Sequence, residues 1–146
     1  MRAFGISILV LAVLAAVIAY TNNCSYEGRS LTLANGRQVP MKCYWTAQAE
    51  IATAAPVFVL GAIMAISRRR ESPRSLAIVG AILGVSMMAL PVALIGVCSD
   101  MTASCNLIMR PAMLLIGGLV ILASAGTLVV AERRREAYAG LGGARS

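Results

Sequence analysis

The chain reads as an all-α membrane protein: a four-transmembrane-helix bundle made of two helical hairpins, with a small β-hairpin in the first outer loop. Three observations predict it. Of its 146 residues, 59% are apolar and only 13% charged, about half the charged fraction of a soluble domain. The mean hydropathy is +0.80, and the apolar residues gather in four runs, each close to the roughly 20 residues that a helix needs to cross a bilayer core. Basic residues and cysteines collect at opposite ends of those runs. This arithmetic excludes a soluble enzyme, a disordered tail and a nucleic-acid-binding domain. It predicts a single integral membrane domain over residues 1–146.

The first span runs over about 3–20. Met1-Arg2 and the small residues Val17 and Ala19 imitate a signal peptide. The apolar run is nevertheless longer than the 7–15 residues usual for a signal core, so it reads as an anchor. An outer loop follows over 21–45. Within it, Leu31-Thr32-Leu33 and Gln38-Val39 flank Ala34-Asn35-Gly36-Arg37, and Asn-Gly between alternating runs is a strong hairpin signal. An isolated hairpin is marginal in water, so a staple or a partner must support it. Tyr20, Tyr44 and Trp45 are aromatic anchors at the outer interface.

The second span covers about 46–67 and carries Pro56, and the third covers 76–98 and carries Pro91. Internal prolines remove backbone donors and permit kinks. A short outer loop over 98–106 leads to the fourth span, 107–131, where Pro111 falls near the helix start and is tolerated. A cytoplasmic loop over 68–75 joins the hairpins. A tail over 132–146 extends the fourth helix by about a turn before a glycine-rich end expected to be disordered. Helix, loop, helix is repeated in the two halves, although their side chains match poorly.

Orientation follows from the basic residues. Arg2, Arg68, Arg69, Arg70, Arg74, Arg133, Arg134, Arg135 and Arg145 fall on one side, and Arg29, Arg37, Lys42 and Arg110 on or near the other. Nine against four places both termini in the cytoplasm, with the chain multi-pass in a bacterial plasma (inner) membrane. The net charge of +7 is therefore a topology signal, with a further use in holding anionic lipid headgroups.

Cys24, Cys43, Cys98 and Cys105 all fall on the outer side. An even count on an oxidising face implies disulfides. Three pairings exist; the local one, Cys24–Cys43 with Cys98–Cys105, is simplest because each bridge closes one loop, and cross-loop pairing works if the loops pack together. The spacings of eighteen and six intervening residues contain no Cys-x-x-Cys redox motif. The layout of four helices with two cysteines in each outer loop is nonetheless that of quinone-linked disulfide-generating membrane proteins. Met41, Met101 and Met109 stand near the cysteines and, with thiolates, would suit Cu(I). The chain has no histidine, the commonest metal ligand, so neither a metal nor another cofactor is expected.

Inside the spans, Gly80 and Gly84 form a small-xxx-small motif, and Gly117-Gly118 offers another point of close approach; Gly61 with Ala65 and Ala12 with Ala16 are looser versions. Packing within the bundle is their expected use, and docking on a neighbouring membrane protein the alternative. Glu50 and Arg110 enter their helices from the outer side, Glu50 about 7–8 Å beyond Trp45. Intramembrane charges mark functional sites by default. An ion pair between Glu50 and Arg110 would link the hairpins.

Met41-Lys42-Cys43-Tyr44-Trp45-Thr46-Ala47 at the start of the second span, with the cysteine-containing second loop and Arg110-Pro111-Ala112 after it, resembles an uncharacterised family (a domain of unknown function) of small four-helix bacterial membrane proteins with cysteine-containing outer loops. The resemblance implies no catalytic residues and, because some members are encoded beside membrane transport systems, an accessory role. Tyr44 stands where the usual form of the motif has a histidine, which departs from any metal role. The expected function is a non-catalytic accessory or stabilising subunit of a larger membrane complex, possibly a transporter, with lipid and a membrane-protein subunit as partners and no nucleic acid. The alternative is a membrane thiol-disulfide redox protein using the outer-face cysteines.

Overall fold

In the computed structural model, residues 2–26, 28, 30–66, 73–98 and 102–143 are described. Four long helices account for most of them: α1 (Arg2–Thr21), α2 (Lys42–Ile66), α3 (Pro73–Ala89) and α4 (Arg110–Gly143). Two π-helical turns, Leu90–Leu94 and Cys105–Met109, complete the third and lead into the fourth. Each of the four segments is long and apolar enough to cross a membrane, with mean hydropathy from 1.9 to 2.6. Only about a third of each span is buried inside the bundle. The outward faces carry residues such as Leu115, Leu122 and Ile82, so lipid must cover them. The protein is a multi-pass membrane protein.

Burial follows a heptad-like spacing. Gly5, Ile8, Ala12, Ala15 and Ala19 line the inner face of α1, and Cys43, Ala47, Glu50, Ala54, Val57, Gly61 and Met64 that of α2. Alternating steps of three and four keep a narrow seam facing one neighbour. The helices pack most closely within each hairpin, α1 on α2 and α3 on α4, while α1·α4 and α2·α3 close the ring more loosely. Glycine explains this hierarchy. A methyl at Gly61 would lie 2.8 Å from the Leu9 nitrogen and 3.0 Å from the Gly5 oxygen. In the second hairpin, a methyl at Gly84 would lie 2.9 Å from the Gly117 oxygen, and one at Gly80 2.5 Å from Ser124 Oγ. Backbones this close gain dispersion contacts without a hydrophobic driving force. Gly118 differs from expectation: a methyl there meets nothing within 4 Å, because it lies one helical step off the seam that Gly117 occupies.

The β-hairpin forms where expected. β1 (Leu31–Thr32) and β2 (Gln38–Val39) pair antiparallel, Leu31 opposite Val39 and Thr32 opposite Gln38. The Gly36 N–H donates to the Leu33 carbonyl and the Leu33 N–H to that of Arg37, both at 2.9 Å. Gly36 alone in the turn has positive φ, +77°, so the loop is a tight turn closed by a left-handed glycine rather than a two-residue turn with both central residues left-handed.

Two helix ends depart from the sequence reading. The third span stops being α-helical at Ala89, because Pro91 has no N–H to donate and the chain relaxes into a π turn that ends with Ile95 and Gly96 donating to the Leu90 carbonyl at 3.1 Å. Cys98 therefore sits on irregular chain beyond the helix. The fourth helix continues to Gly143 instead of fraying after a turn. Glu132, Glu136 and the arginines between them are good helix formers, which carries the helix through the charged segment. The basic residues Arg29, Arg68, Arg69, Arg70 and Arg145, most of the loop 68–75 and Met101 lie outside the described residues.

Candidate functional site

The two loops at the cysteine end of the bundle converge. Cys24 follows directly on α1, whose end is closed by Asn23. The Asn23 amide donates to the Tyr20 carbonyl at 2.7 Å, while its side-chain oxygen accepts the Tyr26 N–H at 2.9 Å. The orphan carbonyls of the last turn are thus satisfied, and the chain bends so that Cys24 turns inward and is buried. Cys43 is the second residue of α2, on the helix face that packs against α1, and it is fully buried.

The second pair is held differently. Gly96, with φ +79°, lets the chain reverse after the first π turn. The Thr46 hydroxyl on α2 then donates to the Gly96 carbonyl at 2.6 Å. From the other side, the Asn106 amide donates to the Cys98 carbonyl at 2.7 Å. A segment without secondary structure is so tied to both hairpins, one residue at a time. Cys105 opens the second π turn and is buried, whereas Cys98 is half-buried. Cys105 thus lies within a π turn, an element that recurs at functional sites.

The result is a four-sulfur cluster. All four Sγ atoms lie within 4.8 Å of one another. Cys24 and Cys43 are joined in a disulfide, with Cα atoms 6.1 Å apart. Cys98 Sγ stands 3.0 Å from Cys43 Sγ and 3.6 Å from Cys24 Sγ, and Cys105 Sγ stands 3.8 Å from Cys24 Sγ. The expected Cys24–Cys43 bridge is made. The expected Cys98–Cys105 bridge is not: both remain free thiols, and the Thr46 tether holds the Cys98 segment against the other hairpin. Of the nearby methionines, Met109 is fully buried and Met41 packs partly buried against the core.

Glu50 lies seven residues beyond Cys43, two helical turns deeper on the same face. It is fully buried, and neither carboxyl oxygen has a hydrogen-bond partner among the described residues. The Glu50–Arg110 pair expected from the sequence is not made. Arg110 stands one residue past Met109 and is half-buried, so it points about 100° away from the buried Met109–Met113 stripe. Beside the cluster, a shallow groove of about 500 Å³ runs between the β-hairpin, at Gln38 and Val39, and the paired rings of Tyr44 and Trp45.

The positioning residues Thr46, Gly96 and Asn106 escaped the sequence reading. A Thr in an apolar helix and a Gly after a Pro carry no distinctive pattern, and only the meeting of the loops gives them a role. Compared with known proteins, residues 5–130 match the model of a family described as a domain of unknown function (DUF4418). No curated protein and no solved structure matches the chain.

Proposed function

The chain belongs to the DUF4418 family, whose description assigns no activity, and we propose from its own residues that the four-cysteine cluster is a membrane thiol–disulfide exchange centre. One observation carries this reading: the free thiol of Cys98 lies 3.0 Å from Cys43 Sγ, across the seam between the hairpins. Staples that only closed loops would need no third sulfur at the bond. Exchange needs a thiolate in contact with a disulfide sulfur.

The steps balance. The Cys98 thiolate attacks Cys43 Sγ; the Cys43–Cys98 bond forms, the Cys24–Cys43 bond breaks, and Cys24 leaves as a thiolate that takes up the proton Cys98 gave. The disulfide now includes the half-buried sulfur, the one of the four that an external thiol reaches. A polypeptide dithiol at the membrane surface attacks Cys98 Sγ and releases Cys43. Its second thiol then resolves the mixed disulfide, leaving an oxidised substrate and four thiols in the chain. Two electrons pass from substrate to cluster. We read the cysteine end as the outer face and both termini as cytoplasmic, in a bacterial inner membrane, from the nine-to-four division of basic residues; that face is where disulfides persist.

The test uses the oxidised full chain in mild detergent, with dithiothreitol standing in for the substrate dithiol. Consumption of dithiol by the wild type, slowed at least about tenfold in Cys98→Ser but not in Cys105→Ser, is the expected result. Equal rates for wild type and Cys98→Ser would overturn the proposal.

A second reading, an accessory subunit of a larger membrane complex such as a transporter, retains one specific observation. Gly118, with nothing within 4 Å of a methyl placed on it, leaves a notch on α4 near the exposed Leu115 and Leu122. That notch suits a neighbouring helix. The remaining glycine contacts are consumed inside the bundle. Native extraction followed by mass spectrometry tests it: a stoichiometric membrane partner supports the reading, and a lone chain in several detergents removes it.

A further inference from the structure

From the same cluster we infer that the fully reduced chain is a four-thiolate site for one zinc-type divalent cation, joining the two hairpins. The inference rests on the gathering of the sulfurs and not on the exchange reaction. A tetrahedral ion with metal–sulfur bonds of about 2.3 Å places its sulfurs about 3.8 Å apart. Cys24 Sγ already stands 3.8 Å from Cys105 Sγ and 3.6 Å from Cys98 Sγ. The two closer pairs both involve Cys43, whose bond to Cys24 is absent once a dithiol has supplied two electrons and two protons. Opening that pair brings the set towards the tetrahedral spacing, within a cluster whose members are nowhere more than 4.8 Å apart.

The surroundings favour the charged ligand set. Binding releases four protons and leaves a dianionic centre. Cys43 lies in the first turn of α2, and Cys105 opens the π turn that runs into α4. The positive ends of two helix dipoles therefore lie beside the sulfurs, and such ends stabilise negative charge. Lys42 adds a cation at the neighbouring position. Four thiolates in this arrangement select zinc-type ions over the hard cations magnesium and calcium.

Disulfide and ion exclude each other, which makes the site selective for redox state. Cadmium serves as the probe, because its thiolate complexes absorb in the near ultraviolet. The full chain in detergent is reduced, freed of reductant and titrated under argon. Absorption rising to a break at one cadmium per chain, with all four cysteines protected from alkylation, is the expected result. The oxidised chain should show neither signal, and Cys105→Ser should bind at least about tenfold more weakly, as even groups that merely orient ligands cost 10–100-fold when removed. Zinc in excess should compete with the probe for the site, and calcium should not. No charge-transfer band in the reduced wild type, a break at one ion per two chains, or equal binding by the oxidised chain would overturn the inference. Alkylation of the metal-free chain counts its thiols in the same samples. A chain that reduces fully and exchanges with dithiol yet binds no cadmium loses the ion site and keeps the exchange centre; one that binds cadmium but shows no Cys98-dependent exchange does the reverse.

Discussion

Replacing Thr46 by Val tests how Cys98 is brought to its target. Val keeps the shape of the side chain and removes the hydroxyl that donates to the Gly96 carbonyl at 2.6 Å. A hydrogen bond of this kind contributes about 1 kcal/mol net. If the Gly96 carbonyl stays dry and unpaired, the loss rises to about 2 kcal/mol. The Asn106 tether to the Cys98 carbonyl remains, so the loop loosens without being released. At 1.4 kcal/mol per tenfold, the productive arrangement is then populated roughly five- to thirtyfold less, and internal exchange from Cys98 to Cys43 slows by that factor. The assay traps free thiols with an alkylating label at increasing times after a jump to alkaline pH and follows label moving from Cys98 to Cys24. Adding Asn106→Ala should slow exchange further. Wild-type kinetics in Thr46→Val, with the bundle folded, would refute the idea that these tethers position Cys98.

Three further outcomes follow from the packing. Gly61→Ala places a methyl 2.8 Å from the Leu9 nitrogen and should destabilise the α1–α2 pair by about 1–3 kcal/mol in a denaturant titration of the detergent-solubilised chain; Gly118→Ala, which meets nothing, should be neutral within about 0.5 kcal/mol. Because Glu50 has no hydrogen-bond partner among the described residues, the effects of Glu50→Gln and Arg110→Gln on that same titration should add within about 0.5 kcal/mol, whereas an ion pair would give a coupling beyond this. Gly96→Ala and Gly36→Ala strain the backbone alike, at φ +79° and +77°, and each should cost about 1 kcal/mol or more. Only Gly96→Ala should slow dithiol consumption; an equal effect at Gly36 would point to general loosening of the cysteine end.

Much of the fold is legible because lipid imposes simple rules. Four apolar runs can only be helices, and Asn35-Gly36 fixes its own turn. Gly80 and Gly84 announce close approach by their spacing, whereas Gly5 is a single glycine in an apolar run and has meaning only opposite Gly61. Helix ends are less legible. Pro91 predicts a disturbance but not its form, and the π turn that follows determines where Cys98 stands. The cysteines show the largest gap between sequence and site. Their even number and common side are readable, and closeness along the chain points to the Cys24–Cys43 bridge that forms but not to the free Cys98 and Cys105 beside it. The cluster instead depends on α1·α4 and α2·α3 contacts and on the Thr46 and Asn106 tethers, all of them tertiary. Glu50 and Arg110 lie at comparable sequence depth, yet helical phase turns one into the bundle and the other away.

The central claim is that the four sulfurs act as one group across the two hairpins. Disulfide mapping tests it most directly. The full chain in detergent is equilibrated across a series of thiol–disulfide buffers, quenched, differentially alkylated and digested for mass spectrometry. Cys24–Cys43 and the cross-hairpin Cys43–Cys98 bridge should both be trapped, their proportions shifting together until four thiols appear. Fixed Cys24–Cys43 and Cys98–Cys105 bridges, reduced independently and with no cross-hairpin species at any potential, would contradict it and leave the cysteines as two separate staples.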